Sequence, residues 1–153
     1  MEAITSKETV DILNDLVKIN NDRIQGYEKA LKELKDEDAD LKPLFLSFIE
    51  QSRRIKMTLG TELQVLGGDM EKGTTSSGSL YRTWMEVKAT FTGHNRHSVL
   101  EACEYGEDAA QKAYETALKT EHVPAHLVDT LMEEKENLRS AHNQIKALRD
   151  ATK

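Results

Sequence analysis

Four polar side chains stand at positions where the helical periodicity of the sequence would otherwise place apolar core residues. Glu107 belongs to a carboxylate-rich stretch, CEYGED, at residues 103–108. A carboxylate inside a helical bundle requires a cation, a hydrogen-bond donor or a proton, because an unpaired buried charge is strongly destabilising. Iron and manganese ions favour carboxylate oxygens, so Glu107 and Glu134 are the first candidates for metal ligands. The four positions are Asn20, Gln51, Glu107 and Glu134.

The composition favours helices and argues against two kinds of partner. Of the 153 residues, 31% are charged, 5% are aromatic and two are proline, which is typical of long amphipathic helices. Acidic residues outnumber basic ones, with 27 Asp and Glu against 21 Lys and Arg, and the basic residues form no continuous stripe. We therefore expect no nucleic-acid partner. No apolar run of 18 residues occurs, so we expect no membrane partner. The single cysteine and the lack of a secretory signal predict a cytoplasmic location.

Four long helices are predicted to position the polar side chains. Apolar residues recur at steps of three and four, and capping boxes begin at Thr5 and Ser98. Pro43 and Pro124 stand at the starts of the second and fourth helices, where a missing N–H costs little. The predicted helices span roughly residues 6–35, 41–66, 98–119 and 124–150 of a single domain at 1–153.

A long crossover is predicted between the second and third helices. Residues 67–97 begin with a stretch rich in Gly, Ser and Thr and are too long for a hairpin turn. Trp84 and Phe91 would hold a short helix, at about 80–91, against the bundle, or would form an exposed dimer contact. The sequence thus predicts an all-α, antiparallel four-helix bundle of two helical hairpins joined by a crossover.

An internal repeat supports two equivalent hairpins. A shift of 87 residues aligns YEKAL at 27–31 with YETAL at 114–118, identical at four of five positions, and places Asn20 on Glu107. Ferritin-like bundles have one long crossover of this kind. Their two metal ions are held by a Glu on each of two helices and a Glu-x-x-His on each of the other two.

Several stretches together resemble an uncharacterised bacterial family of ferritin-like four-helix-bundle proteins, distantly similar to rubrerythrins. The resemblance covers nearly the whole chain. It implies a ferritin-like fold, but no assigned reaction. The stretches are NDRIQGYEKAL, LGG, YRTWMEVK, CEYGEDA and HNQIKALRD.

The rubrerythrin-like ligand scheme, carried over by position, keeps two of its six residues. The two glutamates match, whereas amides and an arginine stand at the other four positions, and the second and fourth helices remain open to a slip of one turn. The resemblance therefore implies a degenerate di-metal site. Its positions are Asn20, Gln51, Arg54, Glu107, Glu134 and Asn137.

Arg54 is predicted to replace the missing cation. We expect its guanidinium, which is always charged, to pair with Glu107 or Glu134, while the neighbouring amides fill the remaining hydrogen bonds. A fixed positive charge at this position would disfavour a pair of iron ions.

A displaced metal site is the alternative. His142 flanks the seam of the fourth helix and could join Glu28 and Glu104, or it could bond a carboxylate at the helix boundary without a metal. The other four histidines lie in loops or at a helix start and are expected to be solvated. Cys103 has acidic neighbours, which predict a small apolar filler and no reactive thiolate.

The sequence therefore predicts a non-catalytic ferritin-like bundle with no cofactor and a structural or protein-interaction role. The partner would be a second copy, as in a homodimer, or another protein, and the ferritin-like relatives suggest a stress-related setting. The alternative is a weak iron- or manganese-binding carboxylate protein with oxygen or peroxide chemistry, which requires convergent ligands and an open coordination position.

Overall fold

The computed structural model describes residues 6–68, 95–120 and 123–152. Within these ranges the chain forms four α-helices and no strand, which confirms the prediction of an all-α four-helix bundle. Each helix end lies within two residues of its predicted position. The elements are α1 (Ser6–Glu33), a 3₁₀ helix (Asp36–Leu41), α2 (Lys42–Val65), α3 (Arg96–Lys119) and α4 (Ala125–Asp150).

Most of the predicted crossover lies outside the described residues. The same holds for its short helix at about 80–91, for Trp84 and Phe91, and for His94 and His122. In the described ranges, none of the helices combines the length and apolar character needed to cross a bilayer.

The ends of the helices follow from local hydrogen bonds. α2 ends where Gly67 adopts φ +78°, and Gly68 N–H donates to Leu63 O at 2.9 Å, as glycine-terminated helices do. α3 begins one turn before the predicted cap, because Asn95 Oδ1 accepts from Ser98 N–H at 2.9 Å. Ser98 is therefore a residue of the first turn of α3 and not its N-cap.

Each helical hairpin is antiparallel. In the first, Glu28 near the end of α1 lies 3.5 Å from Arg53 of α2, whereas Val10 near the start of α1 packs against Gly68. A Cβ atom at Gly68 would come within 2.8 Å of a Val10 methyl, so the two segments are in close contact. In the second, the start of α3 lies beside the end of α4, because His97 Nδ1 is 2.7 Å from Thr152 Oγ1.

The two hairpins pack so that α2 and α3 run in the same direction. Asn20 and Arg23 of α1 contact Tyr114 and Glu107 of α3 at 3.2 and 2.9 Å, so α1 is antiparallel to α3 as it is to α2. A chain that leaves α2 must therefore return along the whole bundle before it enters α3.

Arg96 joins the start of α3 to the connection between α1 and α2. Its guanidinium donates to both carboxylate oxygens of Asp40, at 2.8 and 2.9 Å, and lies 3.3 Å from Asp38. Such a two-point contact fixes orientation as well as distance.

The apolar core is divided into two clusters. The first contains Leu16, Leu59 and Leu131, and the second contains Tyr27, Phe45 and Ile145. The buried polar side chains described next lie on all four helices where the two clusters adjoin. The bundle therefore places its charged groups in the middle of its apolar interior.

Candidate functional site

A buried ion pair forms one end of a group of buried polar side chains that we call the polar layer. Its members are Asn20, Arg23, Tyr27, Ser52, Cys103, Glu107, Tyr114 and Glu134. Arg23 Nε of α1 donates to Glu107 Oε2 of α3 at 2.9 Å, and the side chains are 2% and 0% exposed. Tyr27 OH donates to the same oxygen. A guanidinium and a phenol thus donate to the same carboxylate oxygen, and hydrogen bonds to ionised groups are stronger than those between neutral groups.

The Arg23 guanidinium is held by α2 as well. Its Nη1 donates to Ser52 Oγ at 2.9 Å and to Phe48 O at 3.1 Å. Its central carbon lies 5.5 Å from the ring centre of Tyr27 and 5.2 Å from that of Phe48, within the range of cation–π attraction. Arg23 thus connects three helices.

A chain of hydrogen bonds runs from Arg23 to Glu134. Ser52 Oγ donates to Asn20 Oδ1 at 2.8 Å, and Asn20 Nδ2 donates to Tyr114 OH at 3.2 Å. Tyr114 OH donates to Glu134 Oε1 of α4 at 2.8 Å. Each group donates towards Glu134, so the cation at one end and the carboxylate at the other polarise the same chain.

Three buried atoms of the layer have no hydrogen-bond partner among the described residues. They are one donor, Arg23 Nη2, and two acceptors, Glu107 Oε1 and Glu134 Oε2. Buried polar atoms are usually paired, so this layer retains unusual hydrogen-bonding capacity.

Burial keeps the layer's phenols and thiol neutral. Burial, followed by the charge of Glu107, raises the pKa of Tyr27 and of Cys103 well above their usual values. The pKa of Tyr114 is raised in the same way, by burial and then by Glu134. Cys103 is fully buried, which matches the prediction of a small filler.

Glu134 is the carboxyl of the layer that titrates near neutrality. Burial raises its pKa from 4.5 to about 7, against the lowering effect of the Tyr114 hydrogen bond. A groove of about 380 Å³ between α2 and α4 is lined by Glu134, Gln51, Arg54 and Asn137, among others. Glu134 thus lies at the outer end of the hydrogen-bonded chain, beside solvent.

The predicted ligand positions separate into buried and exposed groups. Asn20, Glu107 and Glu134 belong to the layer, whereas Asn137 is exposed and Gln51 is partly buried. Gln51 Nε2 reaches Asn137 O at 3.5 Å, so these two positions meet at the groove.

The prediction that Arg54 pairs with Glu107 or Glu134 was wrong. Arg54 is exposed, and the guanidinium beside Glu107 belongs to Arg23. The reason is helical phase: the residue of α2 that faces the layer is Ser52, fully buried, so Gln51 and Arg54 point away from it.

The burial pattern of α2 repeats in α4. A shift of 86 places all six buried positions of α4 on buried positions between residues 41 and 59, and it places Glu134 on Phe48. The internal repeat also appears in the contacts: Tyr27 bonds Glu107, and its counterpart Tyr114 bonds Asn20, the counterpart of Glu107.

Sequence reasoning missed Arg23, although a signal was present. Arg23 lies three residues after Asn20 and four before Tyr27, which puts it on the same helical face. Its counterpart in the repeat is the small residue Ala110, which is buried. The interior therefore accommodates one large cation where the other hairpin has a methyl group.

Two of the three residues of the predicted displaced site, Glu104 and His142, lie close together. His142 Nε2 lies 3.8 Å from Glu104 Oε2, as expected, and 2.6 Å from Oδ1 of Asp108, a residue that was not among the predicted ligands. Glu28 is absent from this group, because it lies on the α1–α2 side beside Arg53. The expectation that Glu28 is a ligand was wrong.

The fold and the polar layer define a class of protein: an all-α four-helix bundle with an ion pair at its centre. A family model described as Domain of unknown function (DUF2383) matches residues 8–120. This match covers more than half of the chain, so the chain belongs to that family. The matched residues include most of α1 and all of α2 and α3, and α4 lies beyond them. No curated protein matches the chain.

Removing the Arg23 cation should destabilise the bundle strongly. We expect Arg23→Met to cost about 3 to 5 kcal/mol, because Glu107 would be left buried without its partner. The matched control Arg54→Met removes an exposed guanidinium and should change the free energy of unfolding by less than about 0.5 kcal/mol. Urea unfolding followed by circular dichroism measures both. Equal losses in the two variants would contradict the pairing.

Glu134 should make stability depend on pH. Its pKa is raised in the folded state, so the folded protein binds more protons than the unfolded chain between about pH 4.5 and 7, and stability falls as pH rises through this window. Glu134→Gln should remove this component, on the order of 3 kcal/mol. Denaturation at several pH values measures it. Glu136→Gln, an exposed control, should keep the wild-type profile, and an unchanged profile in Glu134→Gln would refute the shift.

Proposed function

We propose that this chain is a ferritin-like bundle in which a buried arginine network takes the place of a di-metal centre. In this proposal the protein has a structural or protein-interaction role and no catalytic metal. The observation that carries it is the ion pair of Arg23 with Glu107 in the middle of the bundle.

The helix directions support the ferritin-like part of the proposal. α2 and α3 are parallel, so their connection must be a long crossover, and ferritin-like bundles have one such crossover. The internal repeat adds to this argument, because Tyr27 and Tyr114 make equivalent contacts from the two hairpins.

The side chains of the layer do not fit a pair of metal ions. A ferritin-like di-metal site takes carboxylates from all four helices and a histidine from two of them. Here α1 and α2 contribute Asn20 and Ser52, and the described residues place no histidine in the layer. Glu107 Oε2 is already bonded to Arg23 and Tyr27. The unpaired Arg23 Nη2 is a donor on a permanent cation, so it would repel a metal ion there.

Two outer grooves support an interaction role. One lies along the first hairpin and includes Leu31 and Leu46; the other lies along the second and includes Leu118 and Met132. Leu46 is 56% exposed and Met132 57%, so each groove has one large apolar side chain that a partner could cover. The internal repeat relates the two grooves. A partner that recognises one could therefore contact the other in a similar way.

Iron loading tests the absence of a di-metal centre. The chain is loaded anaerobically with ferrous iron, desalted and assayed for bound metal. We expect no bound iron that depends on Glu107 and Glu134, because Arg23 competes for Glu107. About two irons per chain, lost in Glu107→Gln/Glu134→Gln and kept in the control Glu136→Gln, would overturn the proposal.

Sedimentation velocity tests the interaction role. If the grooves bind a second copy, the wild-type chain should associate with rising concentration, and Leu46→Lys/Met132→Lys should weaken association by about tenfold or more, since both grooves lose an apolar contact. The control Met57→Lys changes another exposed apolar residue, outside both grooves. Association unaffected by the groove changes would contradict self-association through these surfaces.

The cytoplasmic location and the stress-related setting stay predictions.

A further inference from the structure

We propose that Glu104, Asp108 and His142 form a binding site for one divalent transition-metal ion, zinc in the simplest case, on the outer surface between α3 and α4. One ligand atom from each of these residues lies within 4.8 Å of the other two. This site is separate from the buried layer and does not depend on the function proposed above.

The helices place the three ligands on one side of the α3–α4 contact. Glu104 and Asp108 are four residues apart on α3, so they are neighbours on the same helical face. His142 faces them from α4, with Nε2 at 2.6 Å from Asp108 Oδ1 and 3.8 Å from Glu104 Oε2. One carboxylate pair on a helix and one imidazole across from it converge on a single point.

The distances suit metal binding after a small adjustment. Tetrahedral ligands at about 2.1 Å from zinc are roughly 3.4 Å from one another. The Glu104–His142 distance is close to this value, whereas the Asp108–His142 distance is that of a hydrogen bond. Asp108 is more than half exposed and can move outward when the metal replaces the shared proton.

Arg149 orients Glu104 and leaves one of its oxygens free. The guanidinium contacts Glu104 Oε1, whereas Oε2 is the oxygen that faces His142. This guanidinium can balance only one of the two carboxylate charges. His142 Nδ1 lies 3.3 Å from Asn143 Oδ1, and a hydrogen bond from Nδ1–H would leave the Nε2 lone pair for the metal.

The exposure of the ligands indicates an open site. The side chains of His142 and Glu104 are 17% and 12% exposed, so the bundle shields one side, and Asp108 faces solvent on the other. Three protein ligands with an open fourth position are typical of sites that also bind water or an exchangeable ligand. The chemical class of ligand is therefore a borderline divalent ion, held by one nitrogen and two oxygens.

Zinc titration of the full chain tests the site. Isothermal titration calorimetry at pH 7.5 with zinc chloride should give one saturable site per chain. His142→Ala and Asp108→Asn should each weaken it by about tenfold or more, because each removes a direct ligand. The matched control His126→Ala removes a histidine that faces one carboxylate, Glu62, at 3.2 Å, and should leave the affinity unchanged.

Circular dichroism of each variant confirms that it is folded, so a loss of binding is not a loss of structure. Glu107→Gln/Glu134→Gln should still bind zinc, which separates this site from the layer. The absence of saturable binding to the wild-type chain would overturn the proposal. So would a loss of affinity in His126→Ala equal to that in His142→Ala, or zinc binding that disappears in Glu107→Gln/Glu134→Gln.

Discussion

The buried ion pair between Arg23 and Glu107 is the interaction on which the arrangement of the helices depends. Both groups lie almost wholly out of water, so each must find its partner or the fold loses several kcal/mol, an order-of-magnitude cost for a buried ion. The pair is satisfied only when α1, α2 and α3 are in one register, because Ser52 and Phe48 O complete the contacts of the guanidinium. A slip by one turn would separate these groups. The polar layer therefore fixes the register of the helices, which apolar contacts alone would specify less strictly.

The two copies of the internal repeat differ at a few positions, and these differences make the layer asymmetric. Tyr27 and Tyr114 occupy equivalent positions, but one bonds a carboxylate and the other an amide, since Asn20 stands where the repeat has Glu107. Arg23 in one hairpin faces the interior at the position of Ala110 in the other. The first hairpin thus has an amide where the second has a carboxylate, and a cation where the second has a small residue. These differences give a charge-balanced pair at one end of the layer and a proton-binding carboxyl, Glu134, at the other.

The helices could be predicted from the sequence because periodicity and caps are local features. Asn20, Glu107 and Glu134 could be predicted because a polar residue at an otherwise apolar position of a helix is visible in the sequence. Arg23 was missed although its spacing from Asn20 and Tyr27 places it on their face, since an arginine beside Asn21 and Asp22 is also compatible with a solvated face. Gln51 and Arg54 were wrongly placed in the interior, because a phase difference of one residue on α2 exchanges buried and exposed side chains. Asp108 was missed because its approach to His142 depends on how α3 and α4 pack, which the sequence does not specify.

We propose that the Arg23 guanidinium occupies the place where a di-metal centre would lie in a ferritin-like bundle. The most direct measurement is a crystal structure of the chain grown with excess ferrous iron under anaerobic conditions, with anomalous diffraction recorded at the iron edge. The account predicts an intact pair of Arg23 and Glu107 and no anomalous peak within the layer. Two iron peaks bridged by Glu107 and Glu134, with Arg23 displaced, would contradict it.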